Sequence, residues 1–360
     1  KWERHTEFTR YSIVQPLPDH AHWGAELPEL ANAVATGTEW LRGLPGQTMA
    51  AIHLGMLHAD ALKPDLITTA QAWLGEGAVL ASRMGNTAEG TSHSCILTHF
   101  RIGDDGFERM LVVAPEGTSE ARSGRISQRL LELETYRLMA LRGLPTAKNL
   151  SAMLSAAEAQ LAELTGLLER KGESDEALLE LLVSLAASIE RATAEHGFRF
   201  SATRAYDTLV SQRLAELRER PISGTQTLGE FMQRRLSPAM ATVQATEKRL
   251  ASLAERISRT SALLRTRVDI ATEAQNQVLL EKLTRGQELQ LRLQVTVEGL
   301  SMAAISYYVV SLLLYGFKGL KASGVPIQPE MAVALMLPLV LWFVWRSRQK
   351  IHKKLHQSDV

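Results

Sequence analysis

The sequence predicts an α+β protein that is mostly helical: an N-terminal mixed α/β domain, a helical bundle with one very long stalk helix, and a C-terminal two-helix transmembrane hairpin. Three observations predict it. Up to about residue 115, short β-branched and aromatic runs alternate with helical ones. From Ser119 onward the apolar residues recur at helical spacing. Near the end, Leu300 to Phe317 carries no charge over 18 positions. At ~150 residues per domain, 360 residues make two to three units. A chain 45% hydrophobic and 22% charged is not disordered over most of its length.

Element by element, His5 to Val14 has period-two character and reads as a strand. Pro28 to Leu41 reads as a helix, with Pro28 in its first turn and Gly43 beyond its end. Ala51–Leu57, Val79–Met84, Ser94–Ile102 and Arg109–Ala114 are strands, the last two joined by a Gly103-Asp104-Asp105-Gly106 turn. They make a mixed sheet. Ser119 to Arg142 is a helix ended by Gly143 and Pro145, and Leu150 to Arg170 another, closed by Lys171-Gly172. Asp175 to Glu195 is closed by Gly197, Ser201 to Glu219 is stopped by Pro221, and Thr227 to Arg235 precedes Pro238. Expected boundaries are 1–117 for the α/β domain, 118–238 for the helical domain, 239–298 for the stalk, 299–346 for the hairpin and 347–360 for a basic tail.

After Pro238 no proline recurs until Pro326, and Val243, Leu250, Leu253, Ile257, Leu264, Val268, Ala271 and Val278 form a heptad seam. A helix from about Ala239 to Phe317 is on the order of 120 Å long at ~1.5 Å per residue. Its seam must pack on the helices of 150–235, on copies of itself, or on both. Gly286 and Gly299 are the points where it would kink.

The charge-free run, helped by its flanks, spans a ~30 Å hydrocarbon layer. A second run, Met331 to Trp345, is extended backwards by Val325 and Ile327 and interrupted by Pro338, whose lost hydrogen bond a neighbouring helix re-satisfies. Trp342 and Trp345, followed by Arg346 and Arg348, form an interfacial belt. Positive charge flanks the pair at Lys282, Arg285 and Arg292 and at Arg346, Arg348, Lys350, Lys353 and Lys354, while the loop holds only Lys318 and Lys321. Both termini therefore face the cytoplasm of an inner (plasma) membrane, with the lipid bilayer as the first partner. The single cysteine, Cys95, excludes an intramolecular disulfide and agrees with a reducing compartment. The chain opens at Lys1 without an initiator Met or a secretory leader, so upstream residues are expected.

A net charge of +1 gives no reason to expect a nucleic-acid partner. His93, Cys95 and His99 share a strand face, but the two histidines stand ~13 Å apart in an extended chain. No metal and no cofactor is expected. Gly85-Asn86-Thr87-Ala88-Glu89-Gly90 lacks the Gly-Lys-Ser/Thr of a phosphate loop. Arg122, Arg125 and Arg129 recur at helical spacing and offer an anion grip near a helix start; the plainer alternative is a ladder of Arg129–Glu132 and Arg125–Gln128 pairs. In the membrane run, Ser301, Ser306, Tyr307, Tyr308, Ser311, Tyr315 and Gly316 either pack helices together or line a wet path, with Glu298 at its cytoplasmic mouth.

Trp2 to Val14, the stretch 124–145 (GRISQRLLELETYRLMALRGLP) and the segment 297–310 (VEGLSMAAISYYVV) together resemble a bacterial family of uncharacterised membrane-anchored proteins, a domain of unknown function. The resemblance covers nearly the whole chain. It implies an additional N-terminal segment rich in His, Arg and Pro, and it brings no catalytic residues. The layout also resembles the CorA-type cation channels, which are pentamers. Their Gly-Met-Asn signature is missing, with Tyr315, Gly316 and Phe317 at the comparable place. Three readings follow: a homo-oligomeric membrane anchor or scaffold that recruits a cytoplasmic partner, an oligomeric ion channel, or an enzyme using the arginine-rich helix on an anionic substrate. The sequence nominates no nucleophile or base, so the expectation is that the chain is not an enzyme.

Overall fold

The computed structural model describes residues 1–17, 38–59, 66–85, 93–170, 174–323, 326 and 328–355; of 38 and of 347–355 only the backbone is described. Within these, the chain forms two compact units, Lys1–Arg265 and Thr266–Val360.

The first unit begins with an antiparallel hairpin of β1 (Trp2–Arg4) and β2 (Thr9–Tyr11); of the strand expected over 5–14 only β2 is strand, and β1 lies before it. The chain reverses at His5–Phe8, whose rings stack 4.4 Å apart. Next come α1 (Thr38–Arg42), β3 (Ile52–His58), α2 (Leu66–Leu74), β4 (Leu80–Met84), β5 (Ser94–Ile102) and β6 (Glu108–Ala114). The expected helix at 28–41 lies mostly outside the described residues. The expected hairpin turn is present: Gly103 N–H donates to Phe107 O, and Gly106 sits at φ +83°, where a side chain would be strained.

Helices α3 (Glu120–Leu141), α4 (Gly143–Glu169) and α5 (Asp175–Leu217) follow, then β7 (Glu219–Pro221), α6 (Leu228–Arg235) and the start of α7 (Ser237–Ala322). The expected end of α3 before Gly143 is present, whereas the expected break at Gly197 is absent. Gly143 and Pro145 open α4 directly after α3, because proline is tolerated in a first turn. A Cβ at Gly143 would also overlap Thr203 Oγ1, so glycine lets α4 start close against α5. Gly197 lies inside the 43-residue α5, since one glycine costs only ~1 kcal/mol and the burial of Phe200 nearby outweighs it.

The sheet runs β3-β6-β5-β4-β7, with β3 and β6 parallel and the other pairs antiparallel, which makes the expected mixed sheet. Side chains alternate between its faces. Odd-numbered Leu57, Ala81, Cys95, Leu97, Leu111 and Val113 pack with Trp73 and Leu74 of α2. Even-numbered Met84, Ile96, Met110 and Val112 pack under Ile126, Leu130 and Leu133 of α3, Val210 of α5 and Met232 of α6. The unit is therefore a three-layer stack with the sheet in the middle.

Further along, α4, α5 and α7 bury matching rows: Leu150, Leu154 and Leu161; Leu182, Leu185 and Ile189; Val243, Leu250, Leu253, Ile257 and Leu264. Arg249 pairs with Glu158 of α4 at 2.8 Å and Arg204 with Glu247 at 3.3 Å, fixing α7 to both neighbours. The first half of the heptad seam is thus satisfied within the chain. Val268 is half-buried, and Ala271 and Val278 are exposed.

The second unit holds the rest of α7, unbroken through Gly286 and Gly299, and α8 (Pro329–Leu355), with Pro338 inside it. Both helices are long and apolar enough to cross a membrane.

Candidate functional site

In the second unit, half-buried Met302, Ser306, Val309, Leu313 and Phe317 line one side of α7, and α8 buries Val333 and Val340. Ser301, Tyr308 and Tyr315, seven apart, fall on the opposite side of α7 at 100° per residue. Ser301 and Gly316 are exposed, Tyr307, Tyr308 and Tyr315 are about 70% exposed, and Ser311 and Glu298 are half-buried. The hydroxyls therefore do not gather on one face. Ser306 lies on the half-buried side and the tyrosines lie away from it.

The three arginines of α3 do not converge either. The Arg122 guanidinium lies 3.1 Å from where a Cβ of Gly85 would be, with His93 Nδ1 3.9 Å from the same point. Arg125 is exposed. Arg129 pairs with Glu216 of α5 at 2.9 Å. Of the ladder offered as the plainer alternative, an i,i+4 rung forms where Gln128 donates to Glu132 at 2.8 Å, and Glu132 also takes long-range partners, Arg213 of α5 at 2.6 Å and Arg10 of β2 at 3.8 Å. Glu7 binds Arg199 of α5 and accepts the Tyr206 hydroxyl, whose pKa is pushed up to about 12, first by burial and then by that carboxylate. These contacts hold the N-terminal hairpin against α3 and α5. The segments 2–14 and 124–145 are thus two sides of one polar seam. The loop 86–90 lies outside the described residues.

Cys95 is buried on the α2 face of the sheet, and burial pushes its thiol pKa up to about 11, away from reactivity. Burial lowers the His99 pKa, and its Nδ1 accepts the Arg101 N–H at 3.0 Å. His53 stacks on Phe107 with ring centres 3.9 Å apart.

The most unusual chemistry lies where β6 passes beneath α3. Glu108, the first residue of β6, shares the helix-facing side with Met110 and Val112 and is 4% exposed. Above it, Glu134 has a fully buried side chain that holds Arg137 in a fork, with Nε at 2.6 Å from Oε2. Arg137 lies 4.0 Å from Glu108 and 5.1 Å over the ring of Phe100, which stacks on Phe231 of α6 at 4.7 Å. Phe100 reaches this place through a β-bulge that puts it at φ +48°, a strained conformation for an aromatic residue.

Burial, then the neighbouring Glu134 carboxylate, raises the Glu108 pKa to about 9. Both effects favour the protonated form of Glu108, which hydrogen-bonds Glu134. One neutral acid, one carboxylate and one guanidinium sum to zero charge, the arrangement a low-dielectric interior tolerates. Glu108 Oε1 has no hydrogen-bond partner. The sequence did hold a signal for this cluster. Glu108 stands at an apolar phase of its strand, and Glu134 falls on the buried row of α3 (Ile126, Leu130, Leu133).

A search of curated proteins and one of solved structures each gave no match. A family model described as Protein of unknown function (DUF3422) matches residues 1–355, and the chain belongs to that family.

Proposed function

We propose that the chain is a membrane-anchored scaffold of the inner membrane: the first unit binds a partner on the cytoplasmic side, and the hairpin of α7 and α8 is its anchor. One observation carries the reading. Leu300, Leu312, Leu335 and Phe343 are each at least 67% exposed, along two helices with almost no charge between Leu300 and Phe317 or between Met331 and Trp345. In water such a surface costs roughly 25 cal/mol per Å² of apolar area. A bilayer removes that cost. Arg346 lies over the Trp342 ring at 5.0 Å, as a cationic anchor beside an interfacial aromatic would.

Carbonate washing of cell envelopes tests the anchor: the chain is expected in the pellet, and recovery in the aqueous fraction overturns the reading. A second reading, conduction by a homo-oligomer, is favoured by the hydroxyl row Ser301, Tyr308 and Tyr315. It is supported if liposomes containing the protein pass cations and Glu298→Gln or Ser311→Ala changes that flux. An anchor gives no flux in any form.

A further inference from the structure

Between Val278 and Leu300, α7 is water-exposed, yet its apolar residues are more than half exposed: Leu289 57%, Leu291 61%, Leu293 66%, Val295 58% and Val297 61%. Apolar residues at every second position are unusual for a helix, because at 100° per residue they fall on two sides. Leu289, Leu293 and Val297 make one seam; Leu280, Leu291 and Val295 make another, roughly 170° away. From Thr284 to Val297 the two remaining sides are polar and differ from each other; one turn earlier, Leu283 stands on the second of them and Lys282 in line with the first seam. One carries Glu281, Arg285, Glu288 and Arg292, with each acid four residues before an arginine, so its charge is self-compensated. The other carries Gln287, Gln290 and Gln294, without charge.

We propose that this four-sided segment assembles with further copies of the same chain into a closed parallel ring of three or more helices. The first seam of each copy packs on the second seam of the next. The charged side faces outward and the glutamine side inward. A two-stranded coiled coil needs one seam and would leave the other wet. Two opposed seams instead give a heterologous contact, which closes into a ring when repeated around an axis.

The occupant is the chain itself because the seams interleave. Positions 291 and 295 lie midway in height between 289, 293 and 297, so copies standing level mesh knob into hole. Level standing is what a shared bilayer imposes, and in this respect the inference rests on the anchor reading.

Cross-linking tests it in membranes from cells making the full chain with Cys95→Ser. Oxidation of the double variant Leu291→Cys/Leu293→Cys is expected to give a ladder of covalent multimers beyond the dimer, since each copy offers one thiol to each neighbour. Either single variant is expected to give little product. Strong dimer from Leu293→Cys alone, or cross-linked bands at masses other than multiples of the protomer's own mass, overturns the ring. The unsubstituted chain in detergent is expected at three or more times the mass of one protomer, and a single protomer overturns it as well. Carbonate fractionation of the same membranes separates the two failures. Protein that pellets without a ladder refutes the ring alone, whereas protein in the supernatant refutes the anchor.

Discussion

An acid at an apolar phase of a central strand has to lose its charge, and Glu108 does so by keeping its proton beside Glu134 and Arg137. The consequence is a pH dependence with a definite sign. The folded-state pKa is about 9, against an ordinary value of 4.5. Below pH 4.5 both folded and unfolded chains hold the proton. Between 4.5 and 9 the unfolded chain releases it and the folded chain keeps it, so stability falls as pH rises through this window. The thermal midpoint of the detergent-solubilised chain is expected to drop by several degrees between pH 6 and pH 9. Glu108→Gln, which mimics the neutral acid, is expected to flatten that drop. Equal drops in both proteins would show that Glu108 does not hold the proton. Much of this cluster was visible as phase violations in the sequence. Phe100 and Phe231 were not, because their approach depends on a bulge and on a helix that returns from more than a hundred residues downstream.

At the scale of elements, periodicity located most helices and strands, and it failed where a local signal competed with tertiary packing. Gly143 and Pro145 do end α3, yet they open α4 at once, and Gly197, a helix breaker by propensity, lies inside α5. β7 has only three residues and a proline, so no pattern announces it. It is fixed by pairing with β4, and its Glu219 accepts the N–H groups of Leu228 and Gly229 at the start of α6. Similarly, α2 (LITTAQAWL) gave no expectation, because nine residues with adjacent threonines are weakly helical until Leu66, Ala70 and Trp73 are buried on the sheet. The two glycines have opposite expected outcomes. Gly143→Ala is expected to destabilise by about 1–3 kcal/mol through overlap with Thr203, and Thr203→Ala is expected to recover most of the loss. Gly197→Ala has open space around its Cβ and is expected to stabilise by about 0.5–1 kcal/mol. Thermal melts of the three variants measure both, and equal effects at the two sites would remove the close-approach account of Gly143.

At the scale of the whole molecule, the charge pattern around the hairpin carries the orientation proposed for it. Eight lysines and arginines flank the two spans, at 282, 285 and 292 and at 346, 348, 350, 353 and 354, against Lys318 and Lys321 in the last turns of α7 at the other end. In the proposed arrangement two crossings return the chain to its starting side, so both clusters share one face, which the positive-inside rule assigns to the cytoplasm. The membrane potential adds ~2.3 kcal/mol per charge per 100 mV against moving a cluster outward. With Cys95→Ser as background, Ser323→Cys is expected to react with a membrane-impermeant maleimide in intact spheroplasts. Arg348→Cys is expected to react only after lysis. The reverse pattern would turn the hairpin over and place the first unit outside, while leaving the anchor itself intact. Labelling of both positions before lysis is incompatible with any two-span arrangement, because a sealed bilayer cannot expose the connection and the tail on one side at once.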